Sequence, residues 1–418
     1  MLLGAYEKNS HTSFRLSVAL MKILILSPNF HTSKKRFKNK IFAPRDYIYS
    51  LTDELVKRGH QVQIASAPDA ETKALLISGD AQLQYKTNFK LYRQTYRRNL
   101  LESEKRMLSF RQREYYELDL ISRAINFARQ EKYDIIHADY PLVHFFEDFS
   151  TVPIVYTLHD SLPDKDTLDY WILTKYSHHQ TISISNNQRK GLPPVNFIGT
   201  VLHGIDLTQF IFQDRVQDHA LGFIGRLVPD KGAHTAVQVS NRMNIPLNIA
   251  TEISYQKTKY YRQEIAPHLK SGLTNVSGYL QKKEKISFFH KIKSLLFPIE
   301  WEEPFGLVMI EAMACGTPVI AFARGSVPEI LADGKTGFIV NSSPENIRGS
   351  YIVRKTGIEG LIEAVRRLNS LSKDEYKAMR LACREHVEEK FTVEEMAQGY
   401  ERVYRDAITN YKLRIMEA

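Results

Sequence analysis

The sequence has little cysteine and no long apolar run, and both absences narrow its class. Cys315 and Cys383 are the only two cysteines among 418 residues. Two thiols so far apart exclude a disulfide framework and a zinc–cysteine cluster, and they fit a reducing cytoplasmic compartment. No apolar stretch approaches the roughly 20 residues that a membrane helix needs. With 43% hydrophobic residues, the chain has the composition of an ordinary globular protein.

The chain is basic, but it lacks the motifs of a nucleic-acid-binding module. Its formal net charge of +10 suits phosphorylated ligands, an anionic membrane or nucleic acid. It has neither zinc-finger spacing nor the aromatic motif of an RNA-binding sheet, so nucleic acid is not expected as a partner. Three interpretations stay open: a site for phosphorylated ligands, peripheral contact with the inner face of a membrane, and a solvated basic surface without a role.

The most informative stretch runs from Ser294 to Phe338. Leu295–Phe297 is an apolar run typical of a buried strand, and residues 305–314 show apolar residues at helical spacing that ends at Gly316. Val319–Phe322 is a second buried strand. This strand–turn–helix–strand order is a βαβ unit of a parallel sheet, so the sequence predicts an α/β protein.

Two carboxylates lie inside this unit. Glu303 is in the turn before the helix, where unpaired N–H groups favour a carboxylate and can equally receive a phosphate or a sugar hydroxyl. Glu311 interrupts an apolar helix face, where a buried carboxylate needs a strong partner. From the residues alone, two interpretations remain. Either Glu303 caps the helix and Glu311 pairs with an internal Arg or Lys, or both contact a ligand.

The segment Glu303-Pro-Phe-Gly-Leu, followed by Ile310-Glu311-Ala-Met-Ala-Cys-Gly-Thr-Pro-Val, resembles the paired-glutamate signature of the family 4 retaining glycosyltransferases. The stretch Gly325-Ser-Val-Pro-Glu-Ile extends this resemblance. Such enzymes have the GT-B fold, in which two Rossmann-like domains with parallel sheets face a central cleft. The resemblance implies a nucleotide-diphosphate sugar as donor substrate. Nothing in the sequence requires a metal or another cofactor, so none is expected.

The resemblance also implies the domain organisation. Residues 21–200 are expected to form an N-terminal Rossmann-like acceptor domain, and residues 201–391 a C-terminal Rossmann-like donor domain. A terminal helix, residues 392–418, is expected to cross back and complete the first domain. Because Met21 opens a fresh strand-like run, residues 1–20 are interpreted as an extension. Residues 70–130, charged and helical in pattern, are where acceptor-specific structure is expected.

Arg226 and Lys231 flank a loop that precedes a predicted helix near Ala233. Two cations beside a helix amino terminus are well placed to hold a diphosphate, since arginine offers a bidentate fork and lysine a mobile point charge. This spacing resembles the diphosphate clamp of the family. The resemblance therefore implies that both residues neutralise the leaving diphosphate as the glycosidic bond breaks.

The other contacts follow from the resemblance alone. It implies that Glu311 holds the ribose hydroxyls and that Glu303 orients the donor sugar. It places His159 in the cleft near C6 of the sugar, where it positions the sugar or stabilises positive charge at the anomeric carbon. The expected catalytic residues are thus His159, Glu303, Arg226 and Lys231. Further donor contacts are expected from backbone groups at Tyr279, Leu280, Phe305, Gly306 and Leu307.

One loop departs from the family pattern. The family usually has a glycine-rich loop whose backbone N–H groups approach the donor diphosphate, whereas this sequence has Asn39-Lys40 at the glycine positions. Either this loop contacts the diphosphate through another backbone geometry, or lysine charge replaces the N–H contacts.

The function predicted from these features is a retaining hexosyltransferase that acts by front-face transfer, because no residue stands out as a covalent nucleophile. A cell-envelope glycan, a glycolipid and a small molecule all stay open as acceptor, and the donor sugar and base stay open too. Two alternatives remain. One is a GT-B nucleotide-sugar epimerase or hydrolase, and the other is a noncatalytic binder of anionic surfaces.

Overall fold

A computed structural model describes residues 19–33, 43–80, 100–161, 163–191, 193–214 and 219–417. Within these residues the chain forms two parallel β-sheets, one in each half. The strands of the first sheet are β1 (Lys22–Leu26), β2 (Gln61–Ser66), β3 (Leu75–Ser78), β4 (Ile135–Ala138), β5 (Ile154–Leu158), β6 (Thr181–Ser183) and β7 (Phe197–Thr200). Those of the second are β8 (Ala220–Ile224), β9 (Leu247–Ala250), β10 (Thr274–Ser277), β11 (Ile292–Phe297), β12 (Val319–Phe322) and β13 (Gly337–Val340).

The strand order shows that both sheets are doubly wound. It is β3-β2-β1-β4-β5-β6-β7 in the first sheet and β10-β9-β8-β11-β12-β13 in the second. Each sheet therefore grows outward in both directions from a central pair, β1 and β4 in one case and β8 and β11 in the other. Most central strands are continuous buried apolar runs, as expected of strands covered by helices on both faces.

Helices cover the faces of both sheets. In chain order they are α1 (Asn29–Thr32), α2 (Ala43–Lys57), α3 (Glu102–Gln130), α4 (His144–Glu147), α5 (Leu168–Lys175), α6 (Ala233–Met243), α7 (Lys282–Lys291), α8 (Leu307–Ala314), α9 (Val327–Ile330), α10 (Gly357–Ser370), α11 (Lys373–Lys390) and α12 (Val393–Glu417). Within the described ranges, no helix has both the length and the apolarity that crossing a bilayer requires.

The chain crosses between the two halves twice, and the crossings lie against each other. Ile205, on the first crossing, forms a parallel bridge with Thr392 on the second. Gly204 makes this approach possible, because a Cβ there would lie 2.0 Å from the Thr392 carbonyl oxygen. Helix α12 then packs on the first sheet, where Tyr400 and Tyr404 are fully buried.

The charged region between residues 70 and 130 corrects one expectation. Its helical pattern is realised in α3, but Leu75–Ser78 forms strand β3, which pairs with β2 at the edge of the first sheet. The edge position leaves Leu75 68% exposed, so burial gives no periodic signal there. Residues 81–99, residues 1–18 of the expected extension, and Asn39-Lys40 lie outside the described residues.

Candidate active site

The predicted site residues follow the strands at the centre of each sheet. In open α/β sheets, ligands bind outside the carboxyl ends of the strands, where the winding direction reverses. His159 directly follows β5, Arg226 lies just beyond β8, and Glu303 lies in the turn after β11. The topology thus places these residues at the carboxyl ends of the two sheets.

Lys231 and Glu303 form an ion pair within the second half. Lys231 Nζ lies 2.6 Å from Glu303 Oε2 and 4.5 Å from the centre of the Trp301 ring. Trp301 Nε1 donates to the same Oε2 at 2.8 Å. Because both donors reach Oε2, Glu303 Oε1 is the oxygen that can accept a hydrogen bond from a ligand hydroxyl.

Gly306, the residue before α8, offers no side-chain cap, and among the described residues the Glu303 carboxylate bonds Lys231 and Trp301 rather than the N–H groups of α8. The helix begins at Leu307 rather than at Phe305, because Gly306 adopts a left-handed conformation with φ +82°. Gly306 turns the chain sharply between Glu303 and the first helical N–H groups. Those N–H groups carry the positive end of the helix dipole and can receive an anion or a hydroxyl oxygen.

Glu311 is paired inside the fold. Both of its carboxylate oxygens accept from Lys285 Nζ, at 2.7 and 2.9 Å. Burial alone would lower the pKa of Lys285, but the Glu311 carboxylate outweighs it and raises that pKa. Asp46, on α2 of the first half, also raises that pKa, so Lys285 lies near the first half.

Two glycines let neighbouring loops pack directly against the backbone of the site, where a side chain would not fit. Gly232, with φ +69°, follows Lys231, and a Cβ there would lie 1.9 Å from the Pro298 carbonyl oxygen. Gly325, with φ +57°, would place a Cβ 2.2 Å from the carbonyl oxygen of Glu303. The turn that carries Glu303 is therefore held by close backbone contact from the loop after β12.

His159 is held by a carboxylate that follows the neighbouring strand. Its Nε2 lies 2.8 Å from Asp139 Oδ1. Burial opposes the charge on Asp139, but His137 and the hydrogen bond from His159 hold the pKa of that carboxyl below its usual range. Since Asp139 stays ionised, it accepts a hydrogen bond from His159 Nε2–H, which leaves His159 Nδ1 to meet a ligand.

A chain of aromatic rings connects His159 to the turn of the second half. The His159 ring stacks on His203 at 5.5 Å and 14°, and His203 packs on the edge of Phe305 at 5.0 Å. Tyr47 contacts both imidazoles, at 4.7 and 4.5 Å. His203 is buried, and this burial, together with His159, lowers the pKa of His203 well below the usual value. The Phe305 side chain is buried, so only its backbone can reach a ligand.

The remaining predicted residues are less closely tied to this arrangement. Arg226 is exposed and pairs with no carboxylate in the part of the chain that the structure describes, so it is available to a ligand anion. Tyr279 lies close enough to Lys285 to raise its pKa. Leu280 is half-buried against the core of the second half. His137, also at a strand end, is a core residue whose ring nitrogens bond Tyr404 and Thr157.

Sequence reasoning missed four side chains of the site: Asp139, His203, Lys285 and Trp301. A signal for Asp139 was present, since it follows β4 as His159 follows β5, and these strands are neighbours. No sequence signal was present for Lys285, because its pairing with Glu311 joins two separate helices, α7 and α8, and follows no helical spacing.

Two family models match the chain, one for each half. The model described as "Glycosyltransferase Family 4" matches residues 46–192, and the model described as "Glycosyl transferases group 1" matches residues 207–349. The second match includes Arg226, Lys231, Glu303 and Glu311.

Curated relatives include glycosyl-transferring enzymes of several kinds. The chain is 26% identical over 262 residues to a glycogen synthase of Mycobacterium tuberculosis, which covers 56% of the chain and 62% of that enzyme's length. It is 25% identical over 331 residues to the N-acetyl-alpha-D-glucosaminyl L-malate synthase of Bacillus anthracis, covering 71% of the chain and 81% of the enzyme.

Solved structures share the two-domain architecture over nearly the whole chain. Sucrose-phosphate synthase from Thermosynechococcus elongatus superposes with a TM-score of 0.67 at 16% identity, covering 93% of this chain and 100% of that one. Anabaena HepE in complex with UDP-glucose superposes with a TM-score of 0.62 at 14% identity, covering 92% and 99%. These likenesses and the two parallel sheets confirm the GT-B fold that the sequence predicted.

Proposed function

The chain belongs to the family 4 glycosyltransferases, and we propose that it transfers a hexose from a nucleotide-diphosphate sugar to an acceptor hydroxyl with retention of anomeric configuration. The observation that carries this proposal is the Lys231–Glu303 pair beside the uncapped amino terminus of α8. It presents a cation for phosphate and a carboxylate for sugar hydroxyls within one hydrogen-bond length.

The leaving diphosphate is the group that this site stabilises. As the bond from the anomeric carbon to the diphosphate breaks, negative charge grows on the phosphate oxygens. Exposed Arg226 and the ammonium of Lys231 neutralise that charge, with N–H groups at helix termini assisting. The protein's own cations therefore supply the countercharge at the donor site, without a metal or another cofactor.

The donor is oriented from both sides of the cleft. Glu303, fixed through Oε2, accepts a sugar hydroxyl at Oε1, and the carboxylate of Glu311 holds the ribose hydroxyls beside Lys285. The backbone near Tyr279 and Leu280 contacts the base. His159, oriented by Asp139, faces the sugar from the first half.

Retention follows when the acceptor hydroxyl attacks from the face that the diphosphate leaves. In this front-face transfer, positive charge develops at the anomeric carbon, and His159 Nδ1 is the atom that can position the sugar against it. The buried stack of His203 and Tyr47 keeps the imidazole in one orientation, which preorganises this contact.

The acceptor binds to the first half of the chain in this proposal. The relatives' printed names include synthases of polysaccharides and of a malate glycoside, and one neighbour holds UDP-glucose. On these grounds we propose a hydroxyl-bearing acceptor, either a glycan, a glycolipid or a small molecule, and a donor that carries a nucleoside diphosphate.

A thermal-shift screen of nucleotide sugars, followed by a transfer assay, tests the proposal. A donor at about 100 times its Kd should add roughly 2.7 kcal/mol to the free energy of unfolding. Lys231→Ala should abolish this stabilisation and nucleotide release, whereas the matched control Lys257→Ala, at an exposed lysine of the same half, should keep both.

Two outcomes would contradict the proposal. If Lys231→Ala binds the donor and turns it over like the unaltered protein, the clamp is elsewhere. If the enzyme releases only free or epimerised sugar and no supplied acceptor is glycosylated, the reaction is hydrolysis or epimerisation.

A further inference from the structure

Two histidines and a glutamate from separate parts of the chain meet in the first half, away from the cleft. His144 and Glu147 lie one turn apart on α4, and His179 directly precedes the residues leading into β6. His179 lies just before the amino end of β6, whereas the proposed donor site lies at the carboxyl ends of the strands. We propose that His144, Glu147 and His179 bind a divalent transition metal of the zinc class.

The three ligand atoms have the spacing of a metal site. His144 Nδ1 lies 3.0 Å from His179 Nδ1 and 3.5 Å from Glu147 Oε2, and His179 Nδ1 lies 3.1 Å from Glu147 Oε2. Nitrogen and oxygen ligands about 2.0–2.1 Å from a tetrahedral zinc ion are separated by roughly 3.3 Å. The triangle therefore matches one face of a zinc tetrahedron, with the fourth position left for water.

The surroundings favour a metal over three groups packed together without one. The relative exposures of His144, Glu147 and His179 are 1%, 7% and 1%. Glu147 Oε2 is buried and receives no hydrogen bond from the described residues. A buried carboxylate oxygen without a donor is costly, and a divalent cation would satisfy it.

His179 is oriented in the way that metal-binding histidines are. Its Nε2 lies 3.2 Å from Asp148 Oδ1, so Nε2–H donates to that carboxylate and the Nδ1 lone pair points at the other two ligands. Such a carboxylate partner fixes the ring and raises the basicity of the ligating nitrogen.

A second set of side chains shares His179 but is less suited to the task. Asp148 and His178 are exposed, and His178 Nε2 lies 3.7 Å from Asp148 Oδ1. Because water solvates the Asp148 carboxylate and the His178 imidazole, neither group needs a metal as a partner. The buried set of His144, Glu147 and His179 is therefore the proposed metal site, and a substitution of the neighbouring His178 serves as the control.

Calorimetric titration of the full chain with Zn²⁺ after chelator treatment tests the proposal. One equivalent should bind, and His144→Gln and His179→Gln should each weaken binding at least tenfold. Asp148→Asn removes only the carboxylate partner, so it should weaken binding about 10–100-fold while the fold is kept. His178→Gln should bind Zn²⁺ like the unaltered protein.

Circular dichroism of each variant shows whether it is folded, and Asp148→Asn provides the test if a ligand variant does not fold. The proposal is overturned if the unaltered protein takes up no stoichiometric Zn²⁺. It is also overturned if His178→Gln loses binding while His144→Gln keeps it, because the metal then lies in the exposed set.

Discussion

Replacing Glu311 with glutamine separates the two roles that its carboxylate can have. The Glu311 and Lys285 side chains are only 10% and 21% exposed. Breaking a buried pair costs about 3–5 kcal/mol, and because Lys285 keeps a fifth of its surface, we expect about 2 kcal/mol from Glu311→Gln. The same change removes a charge-assisted bond to ribose worth about 1.5–3 kcal/mol. The nucleotide Kd should therefore rise about 10–150-fold.

A second substitution isolates the binding effect. In the double variant Glu311→Gln, Lys285→Met, no charge is left buried alone, so the free energy of unfolding should recover toward that of the unaltered protein. Nucleotide affinity should stay low, because the carboxylate is still missing. Lys283→Met, at an exposed lysine on the same helix, should change neither quantity.

Urea unfolding and calorimetric titration with a nucleoside diphosphate measure the two quantities separately. Lys285→Met alone reports what the lysine itself contributes to affinity. If the double variant binds nucleotide as tightly as the unaltered protein, Glu311 serves only the ion pair, and its assignment to ribose is wrong.

Three further predictions follow from single contacts. Gly325→Ala would place a Cβ 2.2 Å from the Glu303 carbonyl oxygen, so we expect a loss of about 2 kcal/mol or more in urea unfolding together with lower turnover; an unchanged variant would contradict the packing. Glu329 accepts from two backbone N–H groups of the first half at 2.6 and 2.8 Å, so Glu329→Gln should loosen the domain junction and increase the radius of gyration in X-ray scattering, and identical scattering would count against this. Burial lowers the pKa of His137 to about 4, so between pH 6.5 and 4 the unfolded chain binds a proton that the folded protein does not. The free energy of unfolding should fall on acidification by up to about 1.4 kcal/mol per pH unit, which is the uptake of one proton on unfolding. His137→Gln should remove this contribution to the slope; a slope equal to that of the unaltered protein would refute the low pKa of His137.

The fold could be predicted where burial gives a strand a continuous apolar sequence. Leu295–Phe297 and Val319–Phe322 are apolar runs because helices cover both faces of their sheet, and the structure has them as parts of β11 and as β12. Strand β3 could not be predicted in the same way. Leu75–Ser78 lies at a sheet edge, and its strand conformation depends on pairing with β2 rather than on a pattern of its own.

The site could be predicted in part: the two glutamates could be identified from the sequence, but their pairing with lysines could not. Glu311 stands out as a charge among apolar neighbours, and Glu303 as a carboxylate before a helix. Their lysine partners depend on tertiary contacts: Lys285 reaches Glu311 from α7, and Lys231 reaches Glu303 from the loop after β8. Such partners have no fixed spacing in sequence, so only the assembled fold identifies them.

The central claim is that Arg226 and Lys231 hold the diphosphate of a nucleotide sugar. Calorimetric titration with a nucleoside diphosphate, the corresponding monophosphate and the nucleoside tests it most directly. We expect one diphosphate to bind, more tightly than the monophosphate, and the variant Arg226→Ala, Lys231→Ala to lose this preference. A double variant that keeps the full preference for the diphosphate would contradict the claim.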